Sequence, residues 1–361
     1  MSRYAGRKLV AMRKRGAAWW CLVGMLALLL VACKRTSEDI PSPDSGEITV
    51  YTNILLDQVK TYLEGFHVLH PQIKVNVVRE AVSVLAQRLL AERNDPQADV
   101  IWGLAVTSLK RMEWRGMLSP YAPVGLERVM PQFRDTSNPP YWVGMDAWTA
   151  VFCVNTVALD NLGLPIPRSW SDLIKPIYKG HVLMYNPLVT GTGYMTVTAI
   201  LQIYDEVKGW EYLDALHQNI VAYVSSEAEP CRLTSAGKAL ISISYDLEGV
   251  QQKTAGAPLE VIFPTEKTGW DMEASALVRK LRVKPAAKTF LDWAISDGAM
   301  RAYAANYAIT AVKLDLPVPP GFPTDPTQEL LDRDFPWDTA NYDRIGREWK
   351  RRYGAKIAKG L

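Results

Sequence analysis

Apolar and polar positions alternate from Glu47 to Asn53, the period of a strand, and the stretch ends in a polar turn. Leu55, Leu56, Val59, Leu63, Phe66 and Leu69 then recur at helical spacing. His70-Pro71 ends that helix, because a residue before proline is pushed out of the helical region. Ile73, Val75 and Val77 predict a second strand. Val84–Arg93 reads as a helix with Leu85, Leu89 and Leu90 on one side, and Asn94-Asp95-Pro96 turns the chain. Ala98–Trp102 is a short apolar run, the mark of a strand covered on both faces. Strand, helix, strand, helix, strand in that order predicts an α/β sheet with parallel pairs.

The pattern changes near Pro139-Pro140. Trp142–Asn155 is a strand-like stretch long enough to cross between two units. Further strands and helices are expected at His181–Tyr185, Thr192–Asp205, Gly209–Asn219, Ile220–Val224, Ala239–Tyr245 and Leu259–Phe263, and helices over 286–304 and 327–353. Two α/β lobes joined by extended segments would enclose a cleft, and ligands of open α/β sheets sit where strand carboxyl ends deliver their loops. A chain of 361 residues suits this, since single cores rarely grow past roughly 250–300 residues.

The first 32 residues read differently. Arg3, Arg7, Lys8, Arg13, Lys14 and Arg15 precede an apolar run from Ala17 to Ala32, and Leu30-Val31-Ala32-Cys33 follows the pattern of a bacterial lipoprotein signal. Cleavage there would leave Cys33 acylated as the mature N-terminus; the other reading is an uncleaved N-terminal anchor. Residues 33–46 are polar and rich in Pro and Gly, a flexible tether. The formal charge of +3 therefore misleads. Of 41 basic residues six belong to the leader, so the remainder carries 35 against 38 acidic ones, a charge of −3. Nucleic-acid binding loses its electrostatic support. The basic tail (Arg344, Arg347, Lys350, Arg351, Arg352, Lys356, Lys359) interleaves with Ile345, Trp349 and Tyr353 as the solvated face of a last amphipathic helix.

Candidate chemistry gathers at strand ends. Thr190-Gly191-Thr192-Gly193-Tyr194 follows the strand ending Tyr185-Asn186-Pro187 and precedes a helix. Glycine backbone N–H groups, threonine hydroxyls and the helix dipole can converge on an anion there; equally, the segment can be a turn with a Thr cap. It lacks the Gly-Lys-Ser/Thr ending of a nucleotide P-loop. Thr52-Asn53, Thr107-Ser108 and Ser225-Ser226 stand at other strand ends, as rim donors or helix caps. Asp146, Tyr245-Asp246 and Trp270-Asp271 with Glu273 pair carboxylates with aromatics, a combination that suits an ammonium group or simply core packing beside surface acids. Four histidines and the absence of HExxH, Cys-x-x-Cys and Gly-x-Ser-x-Gly leave no support for a metal centre, a cofactor or an enzyme. Cys153 and Cys231 are a candidate disulfide for an exported protein, or else buried thiols.

Several stretches resemble one family: Pro96-Gln97-Ala98-Asp99-Val100-Ile101-Trp102-Gly103-Leu104-Ala105, Met117-Leu118-Ser119-Pro120-Tyr121-Ala122-Pro123, Trp142-Val143-Gly144-Met145-Asp146, Gly191-Thr192-Gly193, Ile243-Ser244-Tyr245 and Glu260-Val261-Ile262-Phe263-Pro264. They are similar to the 2-aminoethylphosphonate-binding components of ABC importers, relatives of the ferric-iron binders, over roughly residues 47–353. The resemblance implies a type II periplasmic binding protein: two α/β lobes (47–145 with 260–310, and 146–259 with 311–361), a hinge, and an interlobe cleft that closes on its ligand. It implies a monomeric, membrane-anchored receptor in the periplasm or at the cell surface, which hands a small anion or zwitterion to a permease and its ATPase. The ligand's anionic end would sit on Thr192, Gly193 and neighbouring hydroxyls, including Ser83. Three stretches depart from the family pattern: Arg79-Glu80-Ala81-Val82-Ser83, Leu55-Leu56, and Ser225-Ser226-Glu227-Ala228-Glu229. The ferric alternative would use neighbouring tyrosines; no Tyr-Tyr pair occurs, and Tyr303 and Tyr307 are four apart.

Overall fold

A computed structural model describes residues 46–225 and 229–358. The leader, Cys33, the tether up to residue 45, Ser226 and Lys359 lie outside the described residues, as does the side chain of Ser83. The described residues form eleven strands: β1 Gly46–Thr52, β2 Ile73–Arg79, β3 Val100–Ala105, β4 Leu118–Ser119, β5 Val143–Asn155, β6 Val182–Tyr185, β7 Ile220–Val224, β8 Ile241–Tyr245, β9 Leu259–Ile262, β10 Trp270–Val278 and β11 Ile309–Thr310. Twelve α-helices accompany them. The first six are α1 Leu56–Leu69, α2 Val82–Ala91, α3 Val106–Trp114, α4 Thr156–Asn161, α5 Trp170–Leu173 and α6 Gly191–Ile203. The others are α7 Glu206–Asn219, α8 Glu229–Ser235, α9 Asp246–Thr254, α10 Pro285–Ala294, α11 Asp297–Tyr303 and α12 Phe335–Tyr353.

The strand order is β2-β1-β3-β10-β5-β8-β6-β7, with β4 added on β10 and β9 and β11 on β5. β1 runs parallel to β2 and β3, and β6 parallel to β7 and β8, so the early strand–helix alternation has its expected outcome. β5 is the joint. Its first half, Val143 to Thr149, pairs with β10, and its second half, Ala150 to Asn155, pairs with β8 and β9. A 13-residue strand reaches about 43 Å at 3.3 Å per residue, enough to serve both halves.

Two main cores follow the same division. One gathers the apolar faces of β1, β3, the start of β5, β10, α1, α3, α10 and α11 around Trp102, Phe66, Phe290 and Trp293. Edge-on and tilted ring contacts at centroid distances of 5.1–5.8 Å tie these four together. The other core gathers the end of β5, β6, β8, α6 and α7 around Phe152, Trp170 and Tyr223. α12 serves both: Phe335 belongs to the first core, and Ile345, Trp349 and Tyr353 to the second. Its arginines face outward to Glu206, Asp214 and Glu348, as the amphipathic pattern of the tail implied. A disulfide joins Cys153 on β5 to Cys231 on α8, beside Val151 and Val261.

Some sequence expectations are corrected. The helix expected over 286–304 is two helices, because Ser296 turns out of the helical region and caps α11 by accepting from the Ala299 N–H. The helix expected from 327 begins at Phe335, where Asp334 caps it and Pro336 fits the first turn. Leu55, Leu56 and Leu69, taken as part of an apolar stripe, are exposed, whereas Tyr62 is buried in their place. β10, wholly buried over nine residues, has no expected counterpart: its carboxylates at Asp271 and Glu273 mask the apolar run around them.

Candidate functional site

The ladder registers bring the carboxyl ends of both sheets to the middle of β5. Ala105, the end of β3, lies opposite Glu273, and Glu273 lies opposite Asp146. Tyr245, the end of β8, lies opposite Ala150. Asn186, just past β6, and Tyr245, at the end of β8, are neighbours by extension of the β6–β8 register. Residues 146–150 are thus the floor on which the loops of the two sheets meet.

At one side stands the start of α6. Thr190 is its N-cap: the hydroxyl accepts from the Gly193 N–H at 3.1 Å and donates to the Asn186 carbonyl at 3.0 Å. Gly193 is required here, because a Cβ would lie 2.9 Å from the backbone of Asn186 and Pro187. The turn therefore is a capped helix start, and that capping uses the Thr190 hydroxyl and the Gly193 N–H. The donors left at the open end are the N–H groups of Gly191 and Thr192, which cannot find partners inside the helix. α6 is held from behind by one stripe. Tyr194 donates to the Asp338 carbonyl at 2.6 Å, Gln202 to its carboxylate at 2.7 Å, and Arg333 donates to Thr198 at 2.9 Å. Arg333 and Asp338 form a fully buried ion pair at 2.7 Å. Tyr194 thus faces α12, packed on Tyr342, rather than the helix start.

On the floor, acids dominate. Asp146 is fully buried, and no described side chain donates to its carboxyl, which lies near the Glu273 N–H. Burial, then the charges of Glu273 and Asp246, pushes its carboxyl well above the usual range. Asp246 opens α9; it accepts from the Thr149 hydroxyl at 3.0 Å and from the Leu247 N–H, yet burial still raises it to about 7. Asp271 accepts from the Thr107 hydroxyl at 3.2 Å and from the Met272 N–H; burial raises it to about 6, opposed by Arg333. Tyr62, Tyr303 and Tyr307 feel the charges of Asp146 and Glu273, and burial pushes all three hydroxyls up. Tyr245 and Tyr307 stay half-exposed.

Other sequence candidates fall into two groups. Thr52 is buried and accepts from the Ile54 N–H at 3.1 Å, which shapes the turn after β1. Asn53 beside it is half-exposed, with its side-chain oxygen unpartnered. Thr107 and Ser108 lie in the first turn of α3, Ser108 half-exposed. Trp270 leaves the site: its ring packs on Phe133 and Phe335 in the first core and its indole N–H donates to Leu331. Glu273, two residues after Asp271, is already among the carboxylates the sequence sets beside aromatics, whereas Tyr62 is left out for want of a signal. Tyr62 offered none, since it reads as one more ring on an amphipathic helix.

Strand ends of two sheets that meet along one strand are the kind of place where open α/β folds bind ligands. The model of the family described as bacterial extracellular solute-binding protein matches residues 95–337, and the chain belongs to that family. It is similar to a probable ABC transporter periplasmic-binding protein of Sinorhizobium fredii, 29% identical over 233 residues that span 62% of this chain and 63% of that one. Among solved structures it is similar to the periplasmic binding protein AfuA of Actinobacillus pleuropneumoniae with fructose-6-phosphate bound (TM-score 0.76, 26% identity, 86% of this chain and 99% of that one). The iron-bound HitA of Pseudomonas aeruginosa shares the fold (TM-score 0.72, 16% identity, 84% of this chain and 98% of that one). The fold is that of a type II periplasmic binding protein, and the protein is the substrate-binding component of an ABC importer. No helix among the described residues is long and apolar enough to cross a membrane.

Proposed function

We propose that the protein captures a small phosphonate, 2-aminoethylphosphonate or a close analogue, and delivers it to a permease. The observation that carries this is the start of α6. Its two open N–H groups, at Gly191 and Thr192, sit at the positive end of a 13-residue helix at a sheet's carboxyl edge. The Thr192 hydroxyl and the side chain of Asn53 supply further polar contacts from the two sides. With the anion there, the carboxylate floor takes up the other end of the molecule.

In this reading residues 47–145 with 260–310 and residues 146–259 with 311–361 act as lobes that close on the ligand, so that only the loaded form offers both to the permease. Acylated Cys33 tethers a monomer to the membrane. A ferric role is less well supported, because a hard Fe(III) ion needs ionised oxygen donors and the tyrosines here are held neutral by burial and by the acids beside them.

The test is a thermal-shift titration, since a ligand that binds only the folded state stabilises it by mass action. 2-Aminoethylphosphonate is expected to raise the melting temperature more than phosphate, fructose-6-phosphate or Fe(III), and Thr192→Val to weaken its binding about tenfold. A response to Fe(III) or the sugar phosphate with none to the phosphonate would replace the ligand.

A further inference from the structure

The sheet of β1, β2, β3 and β10 has two edges that differ in what they expose. Its carboxyl edge carries the candidate site. Its amino edge is where the chain enters at Gly46, whose N–H donates to the Gln72 carbonyl. β10 ends at this same edge, since Leu277 lies opposite Val100, the first residue of β3. The turn from β10 into α10 reads Arg279-Lys280-Leu281-Arg282-Val283-Lys284. Lys284 donates to the Glu47 carbonyl at 2.8 Å, which ties this turn to the start of β1. The Arg279 N–H donates to the Met117 carbonyl at 2.9 Å and its guanidinium to the Gly116 carbonyl at 3.3 Å, which ties it to the turn after α3.

These turns display apolar side chains. Leu281 is fully exposed at the tip of its turn. Trp114, the last residue of α3, is 53% exposed, and Val68 and Leu69, which end α1 before the turn to β2, are 80% and 62% exposed. Apolar groups gathered on one edge mark a contact surface. Cations stand among them. Lys280 and Lys284 are paired with the buried Asp99 at 2.6 and 2.8 Å. Arg115 and Arg282 are exposed with no carboxylate partner among the described residues, and Arg279 meets only a carbonyl. Glu47, Glu92 and Glu113 are engaged by Lys74, Arg88 and Lys110, while Asp95 stays exposed. Tryptophan and leucine beside arginine are the groups that settle at a bilayer surface, apolar parts among the lipids and guanidinium at the phosphates.

We propose that this amino edge is a docking surface for an anionic phospholipid bilayer, with Leu281 and Trp114 seated among the lipids and Arg115, Arg279 and Arg282 at the phosphates. This rests on the reading of Cys33 as the lipid-bearing residue. Thirteen residues lead from Cys33 to Gly46, and a chain of that length spans at most about 45 Å. The anchor thus delivers this edge to the membrane at high effective concentration, so that a weak surface contact suffices. The carboxyl ends of β1 and β3 point the other way. Docked in this manner, the protein holds its candidate site away from the lipid and open to arriving solute, and a weak, charge-dependent contact lets it lift off for delivery.

The experiment is fluorescence quenching on the full chain, purified with its lipid and reconstituted in vesicles that contain nitroxide-headgroup lipid. Cys153 and Cys231 are bonded to each other and Cys33 carries the lipid, so Leu281→Cys supplies a single thiol for a fluorophore. Leu56→Cys, at an exposed position where α1 starts on the opposite edge, is the control. In vesicles with about one third phosphatidylglycerol, the probe at position 281 is expected to be quenched at least about twofold more than the probe at position 56. Omitting phosphatidylglycerol, or combining Arg279→Glu with Arg282→Glu, should remove at least about half of that difference. Quenching at 281 no stronger than at 56, or undiminished without the anionic lipid or in the double variant, would overturn the docking surface and leave the anchor standing. A chain that does not float with the vesicles would overturn both.

Discussion

Buried carboxylates give single residues here an influence on stability that can be measured without any ligand. The pKa of Asp246 rises from 3.8 to about 7, and that of Asp271 to about 6, both chiefly by burial. A raised carboxyl pKa means that the folded form holds its proton more tightly than the unfolded one. Such a group favours the fold below its unfolded pKa, and the advantage is lost as pH rises through its folded value. The unloaded protein should therefore melt at a higher temperature at pH 5 than at pH 8. Asp246→Asn should flatten that difference by about 2–3 kcal/mol at most, the part of the shift from 3.8 to about 7 that falls between pH 5 and pH 8. A melting temperature that is flat or climbs from pH 5 to pH 8 contradicts the prediction; lowered acids such as Asp172 (about 2) act below about pH 5 and do not mask it. At this scale the sequence was only partly legible. Thr190 and Gly193 could be named from strand-end position and Asp146 from its place on the long crossover strand, but whether a hydroxyl caps or binds depends on where its helix points. Tyr194 and Trp270 looked like site residues because rings beside glycines and acids are ambiguous until a packing partner, here Tyr342 or Phe335, is known.

At the scale of elements, the proposed anion site depends on α6, which is held by its N-cap and along one side. Thr190→Ala removes the cap and should cost about 1 kcal/mol of stability, read as a small drop in denaturation midpoint, together with weaker anion binding. The stripe of Tyr194, Thr198 and Gln202 against Arg333 and Asp338 holds the other side. Arg333→Met leaves a buried Asp338 unpaired and should cost about 3–5 kcal/mol; replacing both partners with apolar residues should recover much of it. A double variant as unstable as the single one would show that the pair's geometry, rather than its charge balance, matters. Regular strands and amphipathic helices were readable because their periods are local. β5 was legible for its length. β10 was not, because a buried strand that also carries the site's acids breaks the apolar run by which such strands are recognised.

The whole molecule is two packed halves on one shared strand, with α12 joining both cores. The Cys153–Cys231 disulfide closes a loop of 78 residues within the second half. A loop of that size confers about 4 kcal/mol in the chain-entropy model, so a Cys153→Ala, Cys231→Ala variant should melt well below the oxidised protein, and reductant should have no effect on it. In the proposed function the anion donors come from the start of α6, so the most direct test is of the ligand itself. In calorimetric titration of the protein at pH 7 against 2-aminoethylphosphonate, ethylphosphonate, fructose-6-phosphate and Fe(III), saturable binding is predicted to be strongest for 2-aminoethylphosphonate. Saturable binding of Fe(III) or the sugar phosphate, with no heat from 2-aminoethylphosphonate, would contradict it.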